Sequence, residues 1–442
     1  MRSNKLASLF GITTFGESHG TALGLVIEDI RPNLDFPFDE LNRLLSERKP
    51  VSTIYSTSRQ ETDDYEILSG VLEGKTTGMP ICIIFRNKDA RSVDYEQLKD
   101  VFRPGHADYA WFNKFKIYDY RGGGRASGRE TICRVAASAL VSEFIKPVTI
   151  SFQTVQIGEF CASDISKYCH PTAANPFCWS DKRTLSDLYA YLDEIKAEKD
   201  TVGGIVNIRI DGVPIGLGDP VFEKLNANLA KAIMSVGSVR GVSFGDGFEI
   251  CSQKGSEVND QMSETGFLSN RQGGISGGIS TGQPIIINVA VKPISSHGKP
   301  QQTIDKAGNP VTIRVSGRHD VCHIPRLIPV LEAMLKLTLA DAISWQKQLS
   351  GVEINLTDYR EMIDKIDSDL LLLLYIRKAV VQQVRELKAK QGIAFRDAQR
   401  EQELAERFSE IARELDLSED KAKAMLITIL ELCRDDNSVP SL

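Results

Sequence analysis

Of the 34 glycines in the chain, only Gly392 lies beyond Gly351, and from there to the end charged residues alternate with leucine and isoleucine. Glycine marks the places where a chain must turn tightly, so its near-disappearance predicts a change of architecture at that point. The sequence is expected to form a large turn-rich unit over 1–350, a linker over 351–356 and a small all-helical unit over 357–442. In the second unit Gly392 should end a first helix, Asp397 cap a second, and Ser418, followed by Glu419 and Asp420, open a third. Three helices in so short a stretch bury little surface by themselves. The first carries apolar residues at 363, 366, 370, 373, 380, 384 and 387, a helix-packing seam with one charge in it, Arg377.

Before residue 351 the pattern is α+β. Short β-rich runs, ICIIF (81–85), IVNIRI (205–210) and PIIINVAV (284–291), are interleaved with glycine turns and apolar helical stretches such as Ile132–Ile145. No GxGxxG follows a strand and no GxxxxGK[ST] occurs, so neither a dinucleotide fold nor a P-loop is supported. The polar, irregular stretch from Cys161 to Ser180, with Pro171 and Pro176, reads as a surface excursion. A net charge of −6 argues against a chain that coats nucleic acid or anionic membrane. The basic start MRSNKLASLF has no apolar signal core, and the run Leu370–Ile376 is too short to span a bilayer. Eight scattered cysteines without a CxxC pair suggest reduced thiols, and the spacings of Cys161, Cys169, His170, Cys178, Cys322 and His323 match no common zinc site. A cytoplasmic protein with no metal is expected.

The chemistry concentrates between Arg103 and Thr131, where RPGHAD is followed by DYRGGGRASGRET at the start of the apolar helix. Arg121, Arg125 and Arg129 stand among glycines, so guanidinium forks and bare backbone N–H groups can meet one anion where a helix begins. His106 lies just upstream, and His19 sits in a second glycine turn, FGESHG. Two histidines beside arginine and acidic residues suggest acid–base chemistry on a phosphorylated small molecule. The glycine loop NRQGGISGGISTGQP (270–284), with Lys292 beyond the next strand, is either a tight turn or a backbone-lined pocket for a flat or phosphorylated cofactor.

In order along residues 6 to about 350, GESHG (16–20), ExDxxxILSGVxEGKTTG (61–78), NKDARS (87–92), RPGHAD (103–108), RGGGRASGRETxxRVAA (121–137), DPVFEKL (219–225), GGISGGISTGQP (273–284) and GRHD (317–320) resemble chorismate synthase. The resemblance implies a β-α-β sandwich, a homotetramer, reduced FMN as cofactor, and a 1,4-elimination of phosphate from 5-enolpyruvylshikimate 3-phosphate that yields chorismate. It implies that His106 protonates the flavin, that His19 assists the leaving phosphate and that Asp320 helps relay a proton. It also implies flavin binding at Arg125, Ala126, Ser127, Gly237, Ser238, Gly277, Lys292, Pro293, Ile294, Ser295, Ser296 and Arg318, and anion contacts at Arg48 and Arg129. Two departures stand out: Ile54 occupies the place of a usual arginine, and Ile294 that of a threonine, so weaker ligand binding is expected.

The tail from Thr357 resembles the small all-helical chorismate mutases, whose substrate-binding pattern falls on Arg360, Arg377, Lys388, Asp397, Arg400 and Glu401, with Cys433 and Asn437 where serine and glutamine are usual. Eleven residues advance a helix by about 1100°, so Arg377 and Lys388 share a face about 16 Å apart. Arg360 falls about 100° round from Arg377, and the resemblance implies that it comes from the second chain of an intertwined dimer. The implied reaction turns chorismate into prephenate without a covalent step: arginines hold two carboxylates and Lys388 stabilises charge on the ether oxygen. The alternative is a non-catalytic oligomerisation or effector-binding tail.

Overall fold

The structure, a computed structural model, describes residues 4–6, 9–49, 63–87, 98–165, 167–314, 320–349, 356–394, 397–414 and 417–433, and of 356–362, 364–366, 368–369, 398 and 414 the backbone alone. It divides into two compact units, Met1–Ser350 and Gly351–Leu442.

Alternation of apolar side chains aims the strands of the first unit. Leu23, Leu25 and Ile27 are fully buried on one strand, as are Ile81, Ile83 and Phe85 on the next, while the residues between them face the other way. These strands belong to a five-stranded antiparallel sheet in the order Lys5–Leu6, Ile12–Gly16, Ala22–Ile27, Ile81–Arg86, Tyr65–Ser69. A second antiparallel sheet runs Val239–Phe244, Ile285–Val291, Gly204–Asp211, Thr149–Ile157, Phe160–Cys161. Its strands 204–211 and 285–291 are those that the IVNIRI and PIIINVAV runs predict, paired in register from Gly204–Val291 to Ile210–Ile285.

Helices fill the space between the sheets. Helix Thr131–Val141 has ten of its eleven residues buried, so it is apolar all round and belongs in the middle of a layer. It packs on strands Ile12–Gly16 and Ala22–Ile27 and against helices Phe38–Arg48 and Ile324–Leu349. Helix Leu225–Met234 packs on Ile324–Leu349 and on the edge strand Val239–Phe244. The result is the β-α-β sandwich that the resemblance implies. Within this layer Lys336 pairs with Glu332 at 2.9 Å and lies 3.5 Å from Glu40, which ties two of the helices by charge.

One expectation is corrected in part. The described residues of 161–175 lie at the surface as expected, but the stretch returns to the sheet: Phe152 bridges to Cys169, Thr154 bridges to Trp179, and Phe177, Cys178 and Trp179 are buried. The polar residues hide the cause. Strand Thr149–Ile157 is flanked on one side by a partner of only two residues, and the excursion folds back to cover the remaining open edge.

The second unit consists of helices Leu356–Lys390, Ala398–Glu414 and Glu419–Leu432. Its ends fall where the sequence predicts. Gly392 takes the left-handed conformation (φ +67°) while Ile393 N–H donates back to the Lys388 carbonyl. The Asp397 carboxylate accepts from Arg400 N–H at 3.0 Å, and the Ser418 hydroxyl from Lys421 N–H at 3.4 Å. The second and third helices pack on each other, burying Ala412, Leu426 and Ile429. By contrast, Ile363, Leu370, Leu373, Val380, Val384 and Leu387 of the predicted seam are exposed within the single chain. Among the described residues, no helix is long and apolar enough to cross a membrane.

Candidate active sites

The RPGH turn is held from both sides. Arg103 closes a buried fork on Asp108, with Nε and Nη2 donating to the two carboxylate oxygens at 2.7 and 2.9 Å, and this local pair shapes the turn. Gly105 has φ +71°, and a Cβ on it would lie 2.7 Å from Ser295 Oγ, so the close approach admits glycine alone. Its carbonyl accepts from Lys292 Nζ at 2.9 Å and from Ser295 Oγ at 2.8 Å. Segment 292–296 thereby clamps the turn that carries His106.

The tautomer of His106 follows from its partners. Nδ1 faces the Pro104 carbonyl at 3.0 Å, and a carbonyl can only accept, so Nδ1 carries the proton. Burial and then the Arg103 guanidinium hold the imidazole below the usual histidine range, so the ring is neutral near pH 7. Nε2 therefore presents a lone pair, which accepts from Ser296 Oγ at 3.0 Å.

His19 is buried, with Nδ1 3.1 Å from Ser18 Oγ. Asn87 secures its turn by donating to the carbonyls of Glu17 and Gly20 at 3.0 and 2.9 Å. The ring leans on Gly122, where φ is +66° and a Cβ would sit 2.1 Å from His19 Cε1. The two histidine turns meet at the same loop, because the Cβ position of Gly123 lies 3.9 Å from Arg103 Nη2.

The arginines of that loop are aimed by buried carboxylates. Asp63 accepts from Arg48 Nη1 at 3.2 Å and, through its other oxygen, from Arg129 Nη1. One carboxylate thus fixes two guanidiniums side by side, and guanidinium forks are the groups that bind anions. A cleft of about 280 Å³ beside this carboxylate is lined by Lys49 and by Asp63 and Asp64, with Asn42, Ser46, Tyr65 and Leu45 around them. Glu130 accepts from Thr14 Oγ1 and Arg134 Nε, both at 2.9 Å. Thr14 Oγ1 in turn accepts from Arg125 Nη2 at 2.8 Å, whereas Arg125 Nη1 is buried without a partner among the described residues. Asp63 did not stand out in the sequence, whereas Asp108, five residues from Arg103, and Glu130, four from Arg134, had local partners.

The remaining expected positions are spread more widely. Ser238, at φ +75°, gives its carbonyl to Lys292 N–H at 2.9 Å, and Gly237 beside it has open space where a Cβ would be. Ile294 offers a carbonyl that accepts from Thr201 Oγ1 at 2.7 Å. Asp320 is buried and accepts from Arg326 Nη1 at 2.9 Å. Gly277 is set apart from these: it sits at the tip of a ribbon, Ile275–Ser276 paired with Ile279–Ser280, whose Gly278 carbonyl accepts from Leu225 N–H at 2.8 Å. Arg318, Ile54 and Asn437 lie outside the described residues, as does the side chain of Arg360.

In the helical unit, Arg377 Nη1 stands 2.9 Å from Cys433 Sγ, so two of the expected positions meet across helices 356–390 and 419–432. The Asp397 side chain is engaged as a helix cap, and Arg400 Nη1 pairs with Glu403 at 2.8 Å on the exposed surface.

Residues 10–344 match the family model for chorismate synthase, and residues 359–437 that for chorismate mutase type II. A chorismate synthase of Syntrophus aciditrophicus (strain SB) is 46% identical over 353 residues, 79% of this chain and 100% of that protein. One of Nitrosospira multiformis is 45% identical over 344 residues, 77% of this chain and 87% of the other. A solved structure titled Crystal Structure of Chorismate Synthase superposes with a TM-score of 0.56 at 30% identity, covering 76% of this chain and 92% of that one. With paired histidine turns on an arginine loop in the first unit and a helical module following it in sequence, the chain belongs to the chorismate synthase family and carries a chorismate mutase type II domain after the synthase region.

Proposed function

We propose that the first unit makes chorismate by 1,4-elimination of phosphate from 5-enolpyruvylshikimate 3-phosphate with reduced FMN, and that the second rearranges chorismate to prephenate. The observation that carries the synthase reading is the convergence of the His19 ring and of Arg103 in the His106 turn on one arginine-lined loop. Arg48 and Arg129, both paired with Asp63, hold the substrate's anionic groups. His19 gives a proton to the departing phosphate. His106, neutral while the site is empty of charge, takes up a proton when anionic ligands arrive and then serves as an acid.

The residues present fit a phosphorylated flavin. Arg125 keeps one buried N–H donor unpaired, and Gly128 and Gly237 leave room where other residues would place a side chain. Arg125, Ala126, Ser127, Gly237, Ser238 and the 292–296 segment would hold it, with Arg318 and Gly277 completing the set. Reduced FMN, when bound, lends electron density to the breaking bond and takes it back, so no net oxidation results. Asp320, fixed by Arg326, helps move the proton.

In the tail, Arg377 and Lys388 clamp the two carboxylates and the ether oxygen of chorismate, with Arg360, Asp397, Arg400, Glu401, Cys433 and Asn437 around them. The exposed apolar seam on helix 356–390 supports pairing of two tails, Arg360 crossing from one chain to the other, within a homotetramer. Eight free thiols are in keeping with a cytoplasmic setting. The decisive assay is anaerobic turnover with substoichiometric reduced FMN: many turnovers per flavin are expected, and a one-to-one loss of reductant would exclude the mechanism.

A further inference from the structure

Cys169 and Cys178 are thiols that the chemistry above leaves idle and that the fold brings together. Their meeting follows from the way stretch 161–180 returns to the sheet. Cys169 lies opposite Phe152 and exchanges both backbone hydrogen bonds with it, at 2.8 and 2.9 Å, while Trp179 lies opposite Thr154, whose N–H donates to the Cys178 carbonyl at 2.9 Å. Phe152 and Thr154 are about 7 Å apart along their strand. Cys178 precedes Trp179 on a segment that runs parallel to that strand, so the two cysteines sit about one residue step apart, which suits the roughly 4.4–6.8 Å between Cα atoms that a disulfide spans. Their side chains meet as well: Cys178 Sγ is 3.7 Å from the Cys169 carbonyl oxygen, and the two thiols hydrogen-bond each other.

The two sulfurs differ in access and in acidity. Cys178 is fully buried, whereas Cys169 is half-buried. The hydrogen bond from Cys178 holds the Cys169 thiol below the usual range, and the same bond, followed by burial, pushes the Cys178 thiol up. The more accessible thiol is therefore the one that ionises first and attacks. Once its sulfur is capped, the bond that holds the proton on Cys178 is gone, and the second thiol is freed to react. We propose that Cys169 and Cys178 form a thiol–disulfide exchange site that closes reversibly on contact with a small-molecule disulfide such as oxidised glutathione. The Cys169 thiolate attacks one sulfur of that disulfide, making a mixed disulfide and expelling one glutathione thiolate. Cys178 then loses its proton, and its sulfur attacks that of Cys169, closing the 169–178 bond and expelling the second glutathione thiolate. Two protein thiols are oxidised, one small disulfide is reduced to two thiols, and the two protons pass to these. The link encloses residues 170–177 and pins the returning stretch to the edge of strand Thr149–Ile157. A reducing cytosol keeps the pair open, and oxidative conditions close it.

The test incubates the reduced full-length protein with oxidised glutathione, quenches with acid, alkylates the remaining thiols and maps the peptides by mass spectrometry without reduction. The 169–178 link should form at least about tenfold faster than any other internal disulfide, because the partner thiol is already in place, and dithiothreitol should reverse it. Cys178→Ala should instead leave Cys169 carrying one glutathione, since attack proceeds and resolution does not. Cys169→Ser should leave the buried Cys178 unmodified. The map of the unmodified protein stands whether or not either variant folds. A map in which exposed Cys161 and Cys251 are modified while Cys169 and Cys178 stay reduced would overturn the proposal, as would glutathione accumulating on Cys169 of the unmodified protein without the link.

Discussion

Asp63 holds two arginines from different parts of the chain, 15 and 66 residues away, and its removal should be felt at both. Asp63→Asn removes the carboxylate charge that two buried guanidiniums share, which should cost about 3–5 kcal/mol of stability. Millimolar inorganic phosphate should restore part of that loss by bringing negative charge back beside the two arginines. Thermal melts with and without phosphate check this, and a variant as stable as the parent and indifferent to phosphate would contradict it. His19→Ala and His106→Ala should each slow the elimination at least about a hundredfold while altering FMN affinity much less. Acid sensitivity belongs to this scale too. Unfolded, His323 takes its proton near the ordinary histidine value of about 6.5; folded, it does so at about 4. Between those values the unfolded chain binds more protons, so stability should fall as pH drops through that window, by roughly 3 kcal/mol at most for this group. Melting temperatures from pH 7 to 4 should show it, and His323→Val should flatten the curve. The histidines and arginines were legible because they sit in glycine turns. Asp63 was not, because a carboxylate's partner 66 residues away is chosen by the fold, as is the Thr14 hydroxyl that reaches Glu130 from 116 residues away.

At the level of elements, local pattern carried far where backbone need and side-chain period agreed. The runs at 81–85, 205–210 and 284–291 became strands Ile81–Arg86, Gly204–Asp211 and Ile285–Val291, and Gly392, Asp397 and Ser418 mark the helix ends. The buried end of stretch 161–180, around Phe177 to Trp179, was missed because its burial comes from an open sheet edge elsewhere in the chain, which no local period reports. Turn glycines should prove as sensitive as the histidines they support. Gly122→Ala combines a left-handed φ of +66° with a Cβ 2.1 Å from His19, so the ring must move. Far-ultraviolet circular dichroism should stay unchanged while the synthase rate falls by about the amount lost in His19→Ala; full activity would show that His19 needs no such placement. In the tail, Arg377→Ala should abolish prephenate formation and spare the synthase, because it removes a carboxylate contact in a low-dielectric site. If the arginine only sets helix register, Arg377→Leu should strengthen pairing with no activity lost.

For the molecule as a whole, the break in glycine use at Gly351 announced two units, and the structure divides into Met1–Ser350 and Gly351–Leu442. What the chain alone does not supply is cover for the seam on helix 356–390, where Leu370, Leu373, Val380 and Leu387 stay exposed. A second copy would provide it, so sedimentation should find no monomer at micromolar concentration. The two activities are consecutive, since the product of one is the substrate of the other. The most direct measurement follows chorismate and prephenate together after full-length protein receives 5-enolpyruvylshikimate 3-phosphate and substoichiometric reduced FMN without oxygen. Chorismate should rise, pass through a maximum and give way to prephenate over many turnovers per flavin; chorismate that accumulates to completion without prephenate would contradict the account.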